Sequence, residues 1–179
     1  MRMRIRNSRL FLGVGCLLIL LSFSGCDRGD AELNLVPPEF TEYTPTHPDL
    51  LDYKIAGHLQ PLRRILVNPD GASFSEAPPP EGRYPDGTIF VKENFESSPS
   101  VGDTADFLTV MIKQSDHPQA VAGWIWLTED GEGNESIVSG RFCIGCHQAA
   151  NETHEYGEGN PEGEFRDFIF YPPFTKDEL

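Results

Sequence analysis

The sequence predicts an α+β fold that is mainly β: an antiparallel sheet of about five strands, with one short helix late in the chain. Three observations lead there. Apolar residues alternate with period two in several short stretches. Loops rich in Gly and Pro separate those stretches, with no strand–helix–strand rhythm of the kind that builds a parallel sheet. One segment, 142–156, breaks the alternation with helix-compatible residues that follow two cysteines.

The N-terminus reads as a leader. MRMRIRNSRL carries Arg2, Arg4, Arg6 and Arg9 and no acid, and an apolar run from Leu10 to Phe23 follows. That run is short for a membrane span and of signal-peptide length. Ser24-Gly25 directly before Cys26 resembles a lipoprotein cleavage site, so residues 1–25 are expected to leave and Cys26 to carry lipid. A plain secretory signal cut near Gly25 is the alternative; both readings export the protein. Residues 26–48 are acidic and broken by Pro37, Pro38, Pro45 and Pro48, the composition of an extended tether. The remaining 49–179 is expected to be one domain.

Within that domain Asp49–Leu62 is predicted to be a short helix, capped by Asp49, with Leu50, Leu51, Ile55 and Leu59 on one face and Pro61 ending it. Residues 63–68 form a first strand, stopped by Asn-Pro-Asp-Gly. The proline-rich 71–87 is predicted to be a loop without regular structure. Residues 88–94 alternate, with Ile89 and Val91 on one face and Phe90 and Lys92 on the other. Residues 106–114 set Leu108, Val110 and Ile112 against Thr109, Met111 and Lys113. Residues 123–129 bring Trp124 and Trp126 to one face, with Ile125 and Leu127 behind. An acidic, glycine-rich turn follows at 128–136. Residues 166–171 close the sheet, with Phe168 and Phe170 together. No internal repeat is present.

Charge narrows the partners. The chain holds 28 Asp and Glu against 14 Lys and Arg, a net charge of −14, and four of its arginines depart with the leader. Such a surface repels phosphate backbones, so no nucleic-acid partner is expected. It suits basic partners, basic redox proteins among them. The terminal Lys176-Asp177-Glu178-Leu179 spells an endoplasmic-reticulum retention signal. Beside a bacterial-type lipidation site it reads as a coincidence, and the expected location is the periplasm.

Of four cysteines, Cys16 lies in the leader and Cys26 carries the lipid, which leaves Cys143 and Cys146 in RFCIGCHQ. Three chemistries use this spacing: a redox disulfide, half of a zinc site and covalent attachment of haem. A redox pair would want a βαβ context, and none precedes it. Zinc needs four ligands, and His47, His58, His117 and His154 offer no matched pair. Cys-x-x-Cys-His is the c-type haem attachment pattern. On a helical turn, residues i, i+3 and i+4 share a face. Cys143 and Cys146 then meet the vinyl edge of one covalent haem c, and His147 falls beneath the iron as its proximal ligand.

Tyr84-Pro85-Asp86-Gly87-Thr88 leading into a strand with Lys92-Glu93, then Met111-x-Lys113, Gly123-Trp124-x-Trp126, Cys143-x-x-Cys146-His147 and Asp167-Phe168-Ile169-Phe170 together resemble the cytochrome P-460 family. The resemblance runs from about Arg63 to Phe170. It implies a mono-haem protein on an antiparallel sheet, related to the β-sheet cytochromes c′, which bind small gases. It also implies two chemistries. Members with a lysine cross-linked to the porphyrin oxidise hydroxylamine with help from a distal carboxylate; members without it bind NO or CO among phenylalanines.

The resemblance makes Lys92, then Lys113, the candidates for a cross-link, and Glu132 and Glu135 weak candidates for the distal acid. Phe90, Trp124, Trp126, Phe168 and Phe170 are candidates to line an apolar haem pocket. Arg141 is a candidate partner for a haem propionate. Met111, the one methionine left after cleavage, would be the sixth ligand if the protein were an electron-transfer cytochrome, the alternative function; His154 and His117 are lesser candidates. The leading expectation is an open iron site that binds or processes a small gas or nitrogen oxide (NO, CO, hydroxylamine), as an oxidoreductase if the cross-link exists. The expected partners are that ligand, a basic redox protein, the membrane through lipid on Cys26 and, as a candidate assembly, a second copy in a homodimer.

Overall fold

A computed structural model describes residues 35–53, 55, 58, 60–76, 82–100, 102–154 and 159–170. The chain divides into two compact units, Met1–Ala31 and Glu32–Leu179, and every described residue belongs to the second. The expected leader, Cys26 and the terminal KDEL lie outside the described residues. No helix among the described residues is long and apolar enough to cross a membrane.

The fold is mainly β. Its sheet has six antiparallel strands in sequence order: β1 (Thr44–Pro45), β2 (Leu62–Val67), β3 (Ile89–Phe95), β4 (Phe107–Lys113), β5 (Trp124–Asp130) and β6 (Glu135–Ile137). Two helices accompany it, α1 (Pro69–Glu76) and α2 (Gly140–His147), with 3-10 turns at Pro38–Glu42 and Gln148–Asn151. The four long strands coincide with four of the expected five. The extra pairings, β1 and β6, are too short to show alternation.

The fifth expected strand, 166–171, is not one in its described part. Asp167 and Phe168 have φ of 47° and 71°, left-handed values that cannot continue a ladder. The helix expected over Asp49–Leu62 is also absent among the described residues. Leu51 instead exchanges backbone hydrogen bonds of 2.9 Å in both directions with Arg63, so the chain runs antiparallel to the start of β2. Conversely, the expected loop from residue 71 begins inside α1. Asn68 explains this: its Oδ1 accepts from the N–H groups of Gly71 and Ile89, and its Nδ2 donates to Gly87 O at 2.8 Å. With Pro69 in the first turn, that cap starts a helix the sparse apolar pattern did not announce.

From Leu35 onward the expected tether is part of the fold. Val36 is buried, Thr46 is fully buried, and Thr44 and Pro45 pair with Val67 and Leu66. The carboxylate of Glu135 holds this segment, accepting from Leu35 N and Val36 N at 2.8 Å each.

Period two then separates two apolar layers. One face of the sheet buries Val91, Leu108, Val110, Ile112, Ile125 and Leu127 with Val36. On the other, the pairing register aligns Ile65, Lys92, Thr109 and Thr128 in one row, and Val67, Phe90, Met111 and Trp126 in the next. Helix α2 packs over this second face and makes the site.

Candidate functional site

Helix α2 can lie close to β5 because it begins with glycine. A Cβ on Gly140 would stand 2.7 Å from Trp126 Cδ1 and 2.8 Å from Val121 Cβ, nearer than atoms approach. The helix turn that follows presents Cys143, Cys146 and His147 at the wall of a cavity of about 710 Å³. Cys143 is half-buried and Cys146 exposed, and the two are not joined in a disulfide. Burial, opposed by the neighbouring Lys92 charge, pushes the Cys143 thiol up.

The cavity lies between α2 and the second sheet face. Its walls include Ile65, Phe90, Met111 and Trp126 from the strands and Phe170 from the C-terminal segment. Size and lining are those of a site for a largely apolar small molecule. Besides the two cysteines and His147, its polar side chains are Lys92, Thr109, Thr128, His58, Gln60 and Arg63. Among the described residues, no Asp or Glu side chain lines it.

His147 is held on both sides. Its ring meets those of Trp126 and Phe170 edge-on, at centroid distances of 4.8 and 5.4 Å. Its Nδ1 lies 2.9 Å from Phe168 O. Burial lowers its pKa to about 4 against the favourable effect of that hydrogen bond, so the ring is neutral at physiological pH. A neutral imidazole with a proton on Nδ1 donates to the carbonyl and keeps the Nε2 lone pair for a metal. The residues therefore fit a haem: two thiols and a tautomer-fixed imidazole on one helical turn, at the wall of an apolar cavity.

Lys92 reaches into the same space. Burial, and secondarily the Arg63 charge, lowers its pKa to about 7. His58, pushed down to about 3 mainly by burial, is neutral and accepts a hydrogen bond from Lys92 Nζ. Arg63 is itself fully buried; its Nη1 donates to Gln60 O at 3.2 Å. His58, Gln60 and Arg63 were not singled out for the haem pocket by the sequence. His58 and Gln60 lie in the stretch whose apolar spacing predicts a helix over Asp49–Leu62, with neither on its apolar face, and Arg63 stands at a strand end where a surface charge is the ordinary expectation. Thr109 was legible, since alternation puts it on the face of Met111.

Other expected site residues are elsewhere. Trp124 is fully buried on the same face but lies outside the cavity wall, one row further along, against Tyr84 and Phe90. Lys113 is paired with Asp167 at 2.7 Å and stands over the Trp124 ring. Glu132 is exposed in the β5–β6 turn, which Asp130 organises by accepting from the Glu132 and Asn134 N–H groups. Glu135 is occupied with Leu35 and Val36, and Arg141 is exposed outside the cavity wall. Phe168 contributes its carbonyl and packs beside the core, while Phe90, Trp126 and Phe170 line the cavity. His117 lies in a turn with its Nδ1 accepting from Gln119 N, and His154 meets the Phe170 ring.

Residues 40–171 match the family model described as Cytochrome P460. No curated protein matches the chain.

Proposed function

The chain belongs to the cytochrome P460 family, a family of haem proteins with gas or nitrogen-oxide chemistry, and on that premise we propose that it is an exported mono-haem c-type protein that binds a small gas or nitrogen oxide. Cys143 and Cys146 would hold the haem through thioether bonds, and His147 would ligate its iron. The observation that carries this reading is the Nδ1 contact of His147 with Phe168 O at 2.9 Å, on the helical turn that also bears both thiols. When bound, the haem supplies an iron centre able to take up a neutral diatomic or a reduced nitrogen oxide.

The chain supplies the surroundings. Phe90, Trp126 and Phe170 make this part of the cavity wall apolar, which favours neutral ligands over ions. Lys92, with a pKa of about 7, holds or releases a proton there, and neutral His58 fixes its amine. The lack of a carboxylate among the described lining residues favours gas binding over hydroxylamine oxidation. Lys92 is the candidate for a cross-link to the porphyrin, because among the described residues it is the lysine that lines the cavity. Met111 also lines it, which keeps the electron-transfer reading testable.

The basic leader and Ser24-Gly25-Cys26 support export to the periplasm and anchoring through lipid on Cys26. The acidic balance of the chain supports a basic redox partner.

The deciding experiment is an absorption spectrum of the ferrous protein, matured with a c-type haem system, before and after NO. A high-spin haem c spectrum that changes on NO addition is expected. A six-coordinate low-spin spectrum indifferent to NO would exclude an open site. A red-shifted, broadened Soret band that survives denaturation would instead indicate a modified macrocycle, to be tested by Lys92→Arg and a hydroxylamine-oxidation assay.

A further inference from the structure

Behind the cavity, on the same sheet face, lies a buried ion pair that no step above uses. Lys113 Nζ and Asp167 Oδ2 are 2.7 Å apart, with side chains 3% and 0% exposed. Such a pair is weak evidence for stability, since desolvation offsets much of the attraction. Its placement is more informative. Asp167 begins two consecutive left-handed non-glycine residues, with φ of 47° at Asp167 and 71° at Phe168. Backbone of this kind persists only where its surroundings over-determine it.

The surroundings do so here. Asp167 Oδ2 accepts from Lys113 Nζ and, at 2.9 Å, from Tyr84 N. Asp167 O accepts from Trp124 Nε1 at 3.0 Å. Asn151 Oδ1 accepts from Arg166 N and Phe168 N at 2.9 and 3.1 Å, tying the same loop to the turn that follows α2. These bonds turn Phe168 O toward His147 Nδ1.

We propose that Asp167, anchored by Lys113, is a positioning residue for His147: it holds the strained loop whose Phe168 carbonyl accepts the Nδ1 hydrogen bond, and so sets the donor strength of the imidazole toward iron. The inference rests on the reading of His147 as the iron ligand. Neither Asp167 nor Lys113 lines the cavity, so both act through Phe168 and His147. The physical link is that a hydrogen bond from Nδ1 raises the basicity of Nε2, a lever on the potential and ligand affinity of the metal.

The test uses the haem-loaded protein and two readouts, the iron–histidine stretching band of the ferrous form and the midpoint potential. In Asp167→Asn the band is expected to move to lower frequency and the potential to rise. The double variant Asp167→Asn/Lys113→Met removes both charges, so no unpaired ammonium remains buried, and the same two shifts are expected from it. Leu108→Ala, in the core on the other side of the sheet, should lower stability while leaving band and potential unchanged. His147→Gly measured without imidazole identifies the ligand, with added imidazole expected to restore the band. A band unaltered in His147→Gly would overturn the ligand assignment and the inference with it. A band lost in His147→Gly but unmoved in both Asp167 variants, or moved equally by Leu108→Ala, would overturn the positioning role alone.

Discussion

Lys92 Nζ donates to His58 Nδ1 at 2.6 Å, joining a side chain of the sheet face to one that precedes β2 in the chain. The pair gives a largely apolar cavity a proton-holding group that titrates near neutrality, since Lys92 is lowered from 10.5 to about 7.

The pH dependence follows from that shift. The folded pKa of Lys92 lies below the unfolded one, so between about 7 and 10.5 the unfolded chain binds more protons and stability rises with pH. The cost of burying the ammonium is fully present below about pH 7. Lys92→Met should therefore raise stability, relative to the unchanged protein, more at about pH 6 than at about pH 10. Urea denaturation at the two values checks it. A difference independent of pH would mean that Lys92 does not titrate as a free amine in the cavity.

Gly140 carries the approach of α2 to the sheet. Gly140→Ala places a methyl group 2.7 Å from Trp126 Cδ1, so the helix or the indole must move. Overpacking of this kind costs about 1–3 kcal/mol. The expected outcome is a lower melting temperature together with reduced haem content, because the same helix carries both cysteines and His147. Full haem content at a wild-type melting temperature would show that the contact is not limiting.

Glu135 is expected to be structural. Glu135→Ala removes the acceptor of two backbone N–H groups, and hydrogen bonds to a charged group contribute about 1.5–3 kcal/mol. Thermal unfolding should report a loss of that order, with NO affinity unchanged. Glu132→Ala, in an exposed turn, should change neither. A specific loss of ligand chemistry in either variant would return these carboxylates to the site.

Met111 lies in the row of Phe90 and Trp126, packed into the cavity floor. Met111→Leu nearly conserves volume, so stability should change by less than about 1.5 kcal/mol. The ferrous spectrum and the midpoint potential should be unaltered. A change from low-spin to high-spin iron would establish methionine ligation and with it the electron-transfer reading.

The sequence by itself determined the motif, the four long strands and the side of the sheet each strand residue takes. All of these are local: period two fixes the face, and helical spacing puts Cys143, Cys146 and His147 together. Within their strands, Lys92 could thus be set beside Phe90, Thr109 beside Met111, and Trp126 beside Trp124 from alternation alone; the pairing register brings these faces together. The tertiary structure decided which stretch of that face becomes cavity. Helix α2 covers the rows of Lys92 and Met111, whereas Lys113 and Trp124, on the same face one row further, are sealed by Asp167 and Tyr84. It also decided that His58 meets Lys92, that Glu135 serves the N-terminal segment, and that 166–168 turns a carbonyl to His147 instead of forming a strand. Each of these rests on contacts between residues distant in sequence, which no local period encodes.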